Sequence, residues 1–183
     1  CHELGMKVVA ISDVTGGIKD KSGIDIKEIF SHRTLETVEG YERMNADELL
    51  ETHCEVLIPA ALGGVINETN CGKINADFIV EGANQPITIA ADRELRASGV
   101  VIVPDILANS GGVMGSYFEW TQNIQEFSWP LDKFRRELDL RMEKAFGNVH
   151  VVSKKYSVDL RTAAMVVAVG RVAQAFELRG SLV

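Results

Sequence analysis

The sequence predicts an α/β protein, a doubly wound and mostly parallel sheet followed by C-terminal helices. Three observations predict it. Four short apolar runs, "KVVAIS" (7–12), "CEVLIP" (54–59), "DFIVE" (77–81) and "VVIVP" (100–104), are continuous and rich in Val and Ile. Such runs fit strands covered on both faces. Helical patterns alternate with them, which implies right-handed strand–helix–strand units. Beyond Ser110 the strands stop, and 111–127, 130–155 and 159–179 all read as helix.

In order along the chain, "CHELG" reads as the last turn of a helix, with Gly5 just past its end. The first run ends in an acid, Asp13. The stretch 14–44 reads as loop-rich, with glycines at 16, 17, 23 and 40. "NADELLETH" carries a cap at Asn45 or Asp47. "PITIAADRELRASG" starts at Pro86 and Thr88 and stops at Gly99. Pro130 and Asp159 open the later helices. "DLRTAAMVVAVGRVAQAFELRG" is apolar over most of its circumference and ends at Gly180, which predicts a well-buried helix. With no repeat and no low-complexity linker, residues 1–183 read as one domain.

Composition narrows the function. Of 183 residues, 46% are hydrophobic and 25% charged, an ordinary globular mixture. The net charge of -7 argues against a nucleic-acid binder. No apolar run approaches the roughly 18 residues of a membrane span, so no membrane partner is expected. Three cysteines without a CxxC pair point to a reducing cytoplasm. Four scattered histidines predict no metal site.

Three strand ends carry unusual residues. Pro59, Ala60, Ala61 and two glycines follow the second run; Gly82, Ala83 and Asn84 follow the third; Asp105, Asn109, Gly111 and Gly112 follow the fourth. Ligands of open α/β sheets bind outside the carboxyl ends of strands. Small residues there admit a flat cofactor, and Asn offers both a donor and an acceptor. An acid ending the second strand of a Rossmann-like fold bonds the adenosine ribose, about 20 residues past a glycine-rich turn. Counting back from Asp13 runs past Cys1, and no GxGxxG occurs. The expectation is a Rossmann-like domain lacking its first strand and glycine-rich turn, with Asp13 otherwise a loop cap. In the usual strand order 3-2-1-4-5-6, losing the central first strand leaves strands 2 and 4 with open edges, which predicts self-association.

"PAAL" (59–62), "EGANQPIT" (81–88), "PDILANSGGV" (104–113), "SYFEWTQN" (116–123) and "DLRTAA" (159–164) together resemble the cofactor domain of the dehydrogenases acting on glutamate, leucine, phenylalanine or valine. The resemblance spans nearly the whole chain. It implies reversible oxidative deamination of an L-amino acid with NAD or NADP. It implies cofactor contacts at Asp13, Ala60, Ala61, Asn84 (nicotinamide ribose) and Asn109 (carboxamide). It places Gly112 and Val113 at the substrate cleft, and Ser116 where glutamate-specific members bind the side-chain carboxylate. The acid at Asp13 favours NAD by repelling a 2′-phosphate. Lys7, Lys73, Lys133, Lys154 and Lys155 match none of the family's catalytic lysines, which lie in an N-terminal substrate domain. The chain therefore carries no catalytic residue, and inactivity on its own is expected, with a glutamate dehydrogenase as parent and a homo-oligomer as its form. The alternatives are a leucine, phenylalanine or valine dehydrogenase, or a non-catalytic nucleotide-binding or self-associating module.

Overall fold

The computed structural model describes residues 1–180, and their contacts fall into two compact units. The first comprises Cys1–Leu57, Gly64–Ile79 and Ile87–Val100. It opens with an antiparallel meander of β1 (Ala10–Asp13), β2 (Gly16–Lys19) and β3 (Glu42–Met44). The run at 7–12, expected in the parallel sheet, thus pairs antiparallel with β2. The cause is local. Asp13 stands opposite Gly16 across the two-residue turn Val14–Thr15, and its Oδ1 accepts from the Thr15 amide at 2.7 Å and the Thr15 hydroxyl at 2.5 Å. A Cβ on Gly17 would stand 2.7 Å from Met44 Cγ and 3.3 Å from the Met44 carbonyl, so glycine lets β3 close on β2.

The stretch that reads as loop-rich is organised around two side chains. Asp13 Oδ2 accepts from the Leu35 amide at 2.8 Å. Arg43 donates to the carbonyls of Leu35, Glu36 and Val38. Together they hold residues 35–38 over a small core of Ile18, Ile24, Leu35 and Val38, against which Ile26 and Ile29 of α1 (Ile26–Ile29) pack.

Helix α2 (Ala46–Leu50) starts with a capping box, Asn45 bonding the Glu48 amide and Glu48 bonding the Asn45 amide. Strands β4 (Cys54–Leu57) and β5 (Ala76–Val80) pair in parallel, Val56 opposite Phe78. The second sheet runs in the order β4–β5–β6, with β6 at Val101–Val103. Both β1 and β4 stand at the ends of their sheets. Helix α3 (Ile89–Ala97) is capped by Thr88 and followed by Gly99 at φ 93°.

The second unit comprises Ile58–Gly63, Val80–Pro86 and the chain from Val101 onward. It holds α4 (Asp105–Ala108), α5 (Ser110–Gln125), α6 (Leu131–Tyr156) and α7 (Leu160–Arg179). Pro130 and Asp159 precede α6 and α7, as predicted, and Asp159 Oδ1 accepts from the Thr162 amide at 3.0 Å. Leu107, Val149, Ala163 and Ala164 form the core, joined by Val103, Val152, Leu160 and Val167. Phe118 anchors α5 on α6. It meets Phe134 edge-on at 5.5 Å and Trp129 at 5.3 Å, with the Arg141 guanidinium 5.4 Å from its ring.

Helix α7 is not the well-buried helix its composition predicts. Only Ala163 and Ala164 are buried, whereas Met165, Val169, Val172 and Phe176 are exposed, Val172 to 71%. Those four positions, spaced 4-3-4, lie on one stripe. Helix α6 is its main packing partner, and among the described residues that stripe has no cover. Apolar composition says what a helix can bury, and its neighbours decide what it does bury.

Candidate functional site

A cleft of about 720 Å³ opens in the second unit. Its walls come from the three segments that sequence reading singles out. Ala61, Leu62 and Gly63 follow β4; Gly82, Ala83 and Asn84 follow β5; Ile106, Asn109, Ser110 and Val113 surround the joint between α4 and α5. Asn109 is that joint, ending one helix and starting the next at φ -97° and ψ 4°.

The first two walls run against each other with little space. The Ala83 amide donates to the Pro59 carbonyl at 2.9 Å. A Cβ on Gly82 would meet the Ala60 Cβ at 3.0 Å, and one on Gly63 would meet the Asn84 carbonyl at 3.0 Å. Residues larger than these would push the walls apart. Across the cleft, Asn109 Nδ2 donates to Asn84 Oδ1 at 2.7 Å. That bond does not use the Asn84 amide nitrogen or the Asn109 side-chain carbonyl, so the pair presents a donor and an acceptor side by side. A primary carboxamide, with one carbonyl and one NH₂, complements that pattern.

Beneath the walls lies a charged network that sequence reading missed. Glu81 is fully buried at the end of β5. Its Oε1 accepts from Arg161 Nη2 at 2.8 Å and its Oε2 from the Asp105 amide at 2.7 Å. Asp105 Oδ2 accepts from the Gln85 amide at 2.8 Å, and its Oδ1 lies 3.6 Å from Arg161 Nη1. Gln85 is held at φ 47°, a left-handed conformation unusual for a residue with a side chain. The signal was present as an acid closing an apolar run in "DFIVE" and an arginine inside the apolar "DLRTAA". Sequence alone does not say that they meet.

Of the site residues expected from the sequence, Ala61, Asn84, Asn109 and Val113 line the cleft. Ala60 lies behind Gly82. Gly112 has open space where a Cβ would point and is not part of the lining. Ser116 is exposed, one turn along α5 from Val113, and its hydroxyl donates to the Gly112 carbonyl at 3.3 Å. Asp13 belongs to the first unit, where its carboxylate closes the β1–β2 turn. Slight burial pushes its pKa up, but bonds from the Thr15 hydroxyl and the Leu35 and Thr15 amides outweigh this and hold it below the usual value. No lysine lines the cleft. Among the described residues no His, Cys, Asp and Glu cluster could hold a metal, and no helix is long and apolar enough to cross a membrane.

A family model described as Glutamate/Leucine/Phenylalanine/Valine dehydrogenase matches residues 1–180. A glutamate dehydrogenase of Thermotoga maritima is 48% identical over 98% of this chain and 44% of that protein. Two solved structures are similar throughout. The hetero-hexameric glutamate dehydrogenase of Thermus thermophilus in a Leu-bound form superposes with a TM-score of 0.89 at 30% identity, covering 100% of this chain and 44% of the other. The glutamate dehydrogenase of Peptoniphilus asaccharolyticus gives 0.80 at 32% identity, covering 98% and 42%. The chain thus spans less than half the length of these relatives.

Proposed function

The chain belongs to the Glutamate/Leucine/Phenylalanine/Valine dehydrogenase family, and from that premise we propose that residues 1–183 are the Rossmann-type, nicotinamide-dinucleotide-binding domain of a glutamate dehydrogenase. The observation that carries this reading is the Asn84–Asn109 pair at the mouth of a small-residue cleft. The fit to a nicotinamide riboside is chemical and steric: the pair offers a donor and an acceptor to the carboxamide and the ribose hydroxyls, and Ala61, Gly63 and Gly82 leave the walls low enough for a flat ring. When bound, the dinucleotide supplies the hydride acceptor for oxidation of an L-amino acid to a 2-oxo acid and ammonia.

The chain's own part is to bind and orient. Asn109 fixes the rotation of the carboxamide, and with it the ring face turned toward Val113, while Asn84 holds Asn109 and faces the nicotinamide ribose. Val113 keeps that face apolar. Ser116, a turn further along α5, offers a hydroxyl to a substrate side-chain carboxylate, which favours glutamate over leucine, phenylalanine or valine. Asp13, held ionised, disfavours a 2′-phosphate and so favours NAD over NADP. Deamination also needs a base beside the substrate amine, and the cleft lining holds no lysine. The 183-residue chain is therefore expected not to turn over. A cytoplasmic homo-oligomer is the assembly we assign to the parent enzyme.

The test is a fluorescence titration of the chain with NADH and NADPH. Saturable binding that weakens in Asn84→Ala and in Asn109→Ala supports the reading. Binding indifferent to both substitutions overturns it, and glutamate-dependent NADH formation by this chain alone overturns the expected lack of turnover.

A further inference from the structure

We propose that Glu81, Asp105 and Arg161 form a positioning clamp that sets the spacing of Asn84 and Asn109. The clamp rests on the cofactor reading above for its purpose and on geometry for its existence. Its members come from three distant parts of the sequence: the end of β5, the first turn of α4 and the first turn of α7. Each bond leads toward the asparagine pair. Arg161 holds Glu81, Glu81 holds the Asp105 amide, and Asp105 holds the Gln85 amide. Gln85 is the residue after Asn84, while the Asn109 amide donates to the Asp105 carbonyl at 3.0 Å. Asp105 thus touches the backbone on both sides of the pair, through its side chain at Gln85 and its carbonyl at Asn109.

Stability alone is a poor explanation for this arrangement. A carboxylate that is fully buried loses its hydration, and an apolar pair of the same volume is often as stable or more so. What an ion network adds is direction: each oxygen of Glu81 and each oxygen of Asp105 has an assigned donor. Direction is needed here because Gln85 sits at φ 47° without being glycine, a conformation that persists only where its surroundings hold it. Without the Asp105 acceptor the loop after β5 would relax toward an ordinary turn and carry Asn84 away from Asn109. None of the three clamp residues is on the lining of the cleft, so they act through the asparagines and are positioning residues.

The experiment uses the 183-residue chain, its Arg161→Met variant and the apolar double variant Glu81→Leu/Arg161→Met. Two quantities are read: amide hydrogen exchange at Gln85, with the Asn109 side-chain NH₂ resonances, and the NADH dissociation constant by fluorescence. The clamp predicts that Arg161→Met speeds exchange at Gln85 and raises the NADH dissociation constant, each about tenfold, because small misplacement of orienting groups weakens what they hold. Arg161→Lys, which keeps the charge, should recover part of both. If Arg161→Met fails to fold, the double variant decides, since it removes both side-chain partners of the clamp without burying a lone charge. Wild-type exchange and affinity in Arg161→Met or in that double variant would overturn the clamp. Absence of NADH binding by the wild-type chain would overturn the cofactor reading instead, and the exchange measurement would still decide whether the clamp exists.

Discussion

The side-chain amide of Asn109 donates to the side-chain carbonyl of Asn84 at 2.7 Å, tying the α4–α5 joint to the loop after β5. The bond is exposed, so water can replace either partner. Asn84→Ala and Asn109→Ala should each lower stability by only about 0.5–1.5 kcal/mol. Each should weaken NADH binding by roughly tenfold, the value of one oriented hydrogen-bond pair. The double variant should lose less than the sum, because the two residues act as one element. Thermal unfolding and NADH fluorescence on the same samples separate the two effects. Full additivity would argue against a shared role.

Gly82→Ala places a methyl 3.0 Å from the Ala60 Cβ and 3.3 Å from its Cα. Backbone, not a flexible chain end, stands in the way. The expected loss is about 1–3 kcal/mol, typical of overpacking. Ala60→Gly in the same chain should restore part of it by opening the facing wall. Urea midpoints of the two single variants and the pair give the answer, and an unchanged midpoint for Gly82→Ala would contradict the close approach.

Asp13 gives a pH dependence of known sign. Its folded pKa lies below the ordinary value of 3.8. Its contribution to stability is therefore complete above the unfolded value and is lost as pH falls through the lower, folded one. Asp13→Asn should be less stable than wild type at pH 7, and the gap should close as the pH drops below 3.8. Urea titrations at stepped pH measure that gap. A constant gap would mean that ionisation of Asp13 is not the source of the difference.

The stripe of Met165, Val169, Val172 and Phe176 on α7 predicts association between copies of the chain at raised concentration. Light scattering should give a mass above the 20.1 kDa of one chain, rising with concentration. Val169→Glu/Val172→Glu should return it to one chain without lowering the melting temperature, since both side chains are exposed. A single-chain mass at every concentration for the wild type would rule the association out.

What was legible in the sequence was what is decided locally. Asn45, Thr88, Pro130 and Asp159 mark helix starts because a cap acts within three residues of itself. The cleft walls were legible because glycine, alanine and asparagine cluster after apolar runs. Strands β2 and β3 were not. "GGIK" and "ERM" carry no apolar run, and they are strands only because β1 and each other supply the ladder. The exposure of α7 was hidden for a related reason, since burial belongs to a pair of surfaces. Glu81 and Arg161 were hidden most completely, because nothing local tells a buried carboxylate from a solvated one.

Arg161 is 80 residues beyond Glu81, and that separation orders events during synthesis. At about 5–20 residues per second, the arginine leaves the ribosome roughly 4–16 s after the acid it neutralises. Until then Glu81 must stay hydrated, which keeps the end of β5 from settling. A nascent chain stalled before residue 159 would carry every residue that lines the cleft, but not the cation that fixes their loops. The cleft is therefore among the last parts of this chain to mature, although most of its residues are made early.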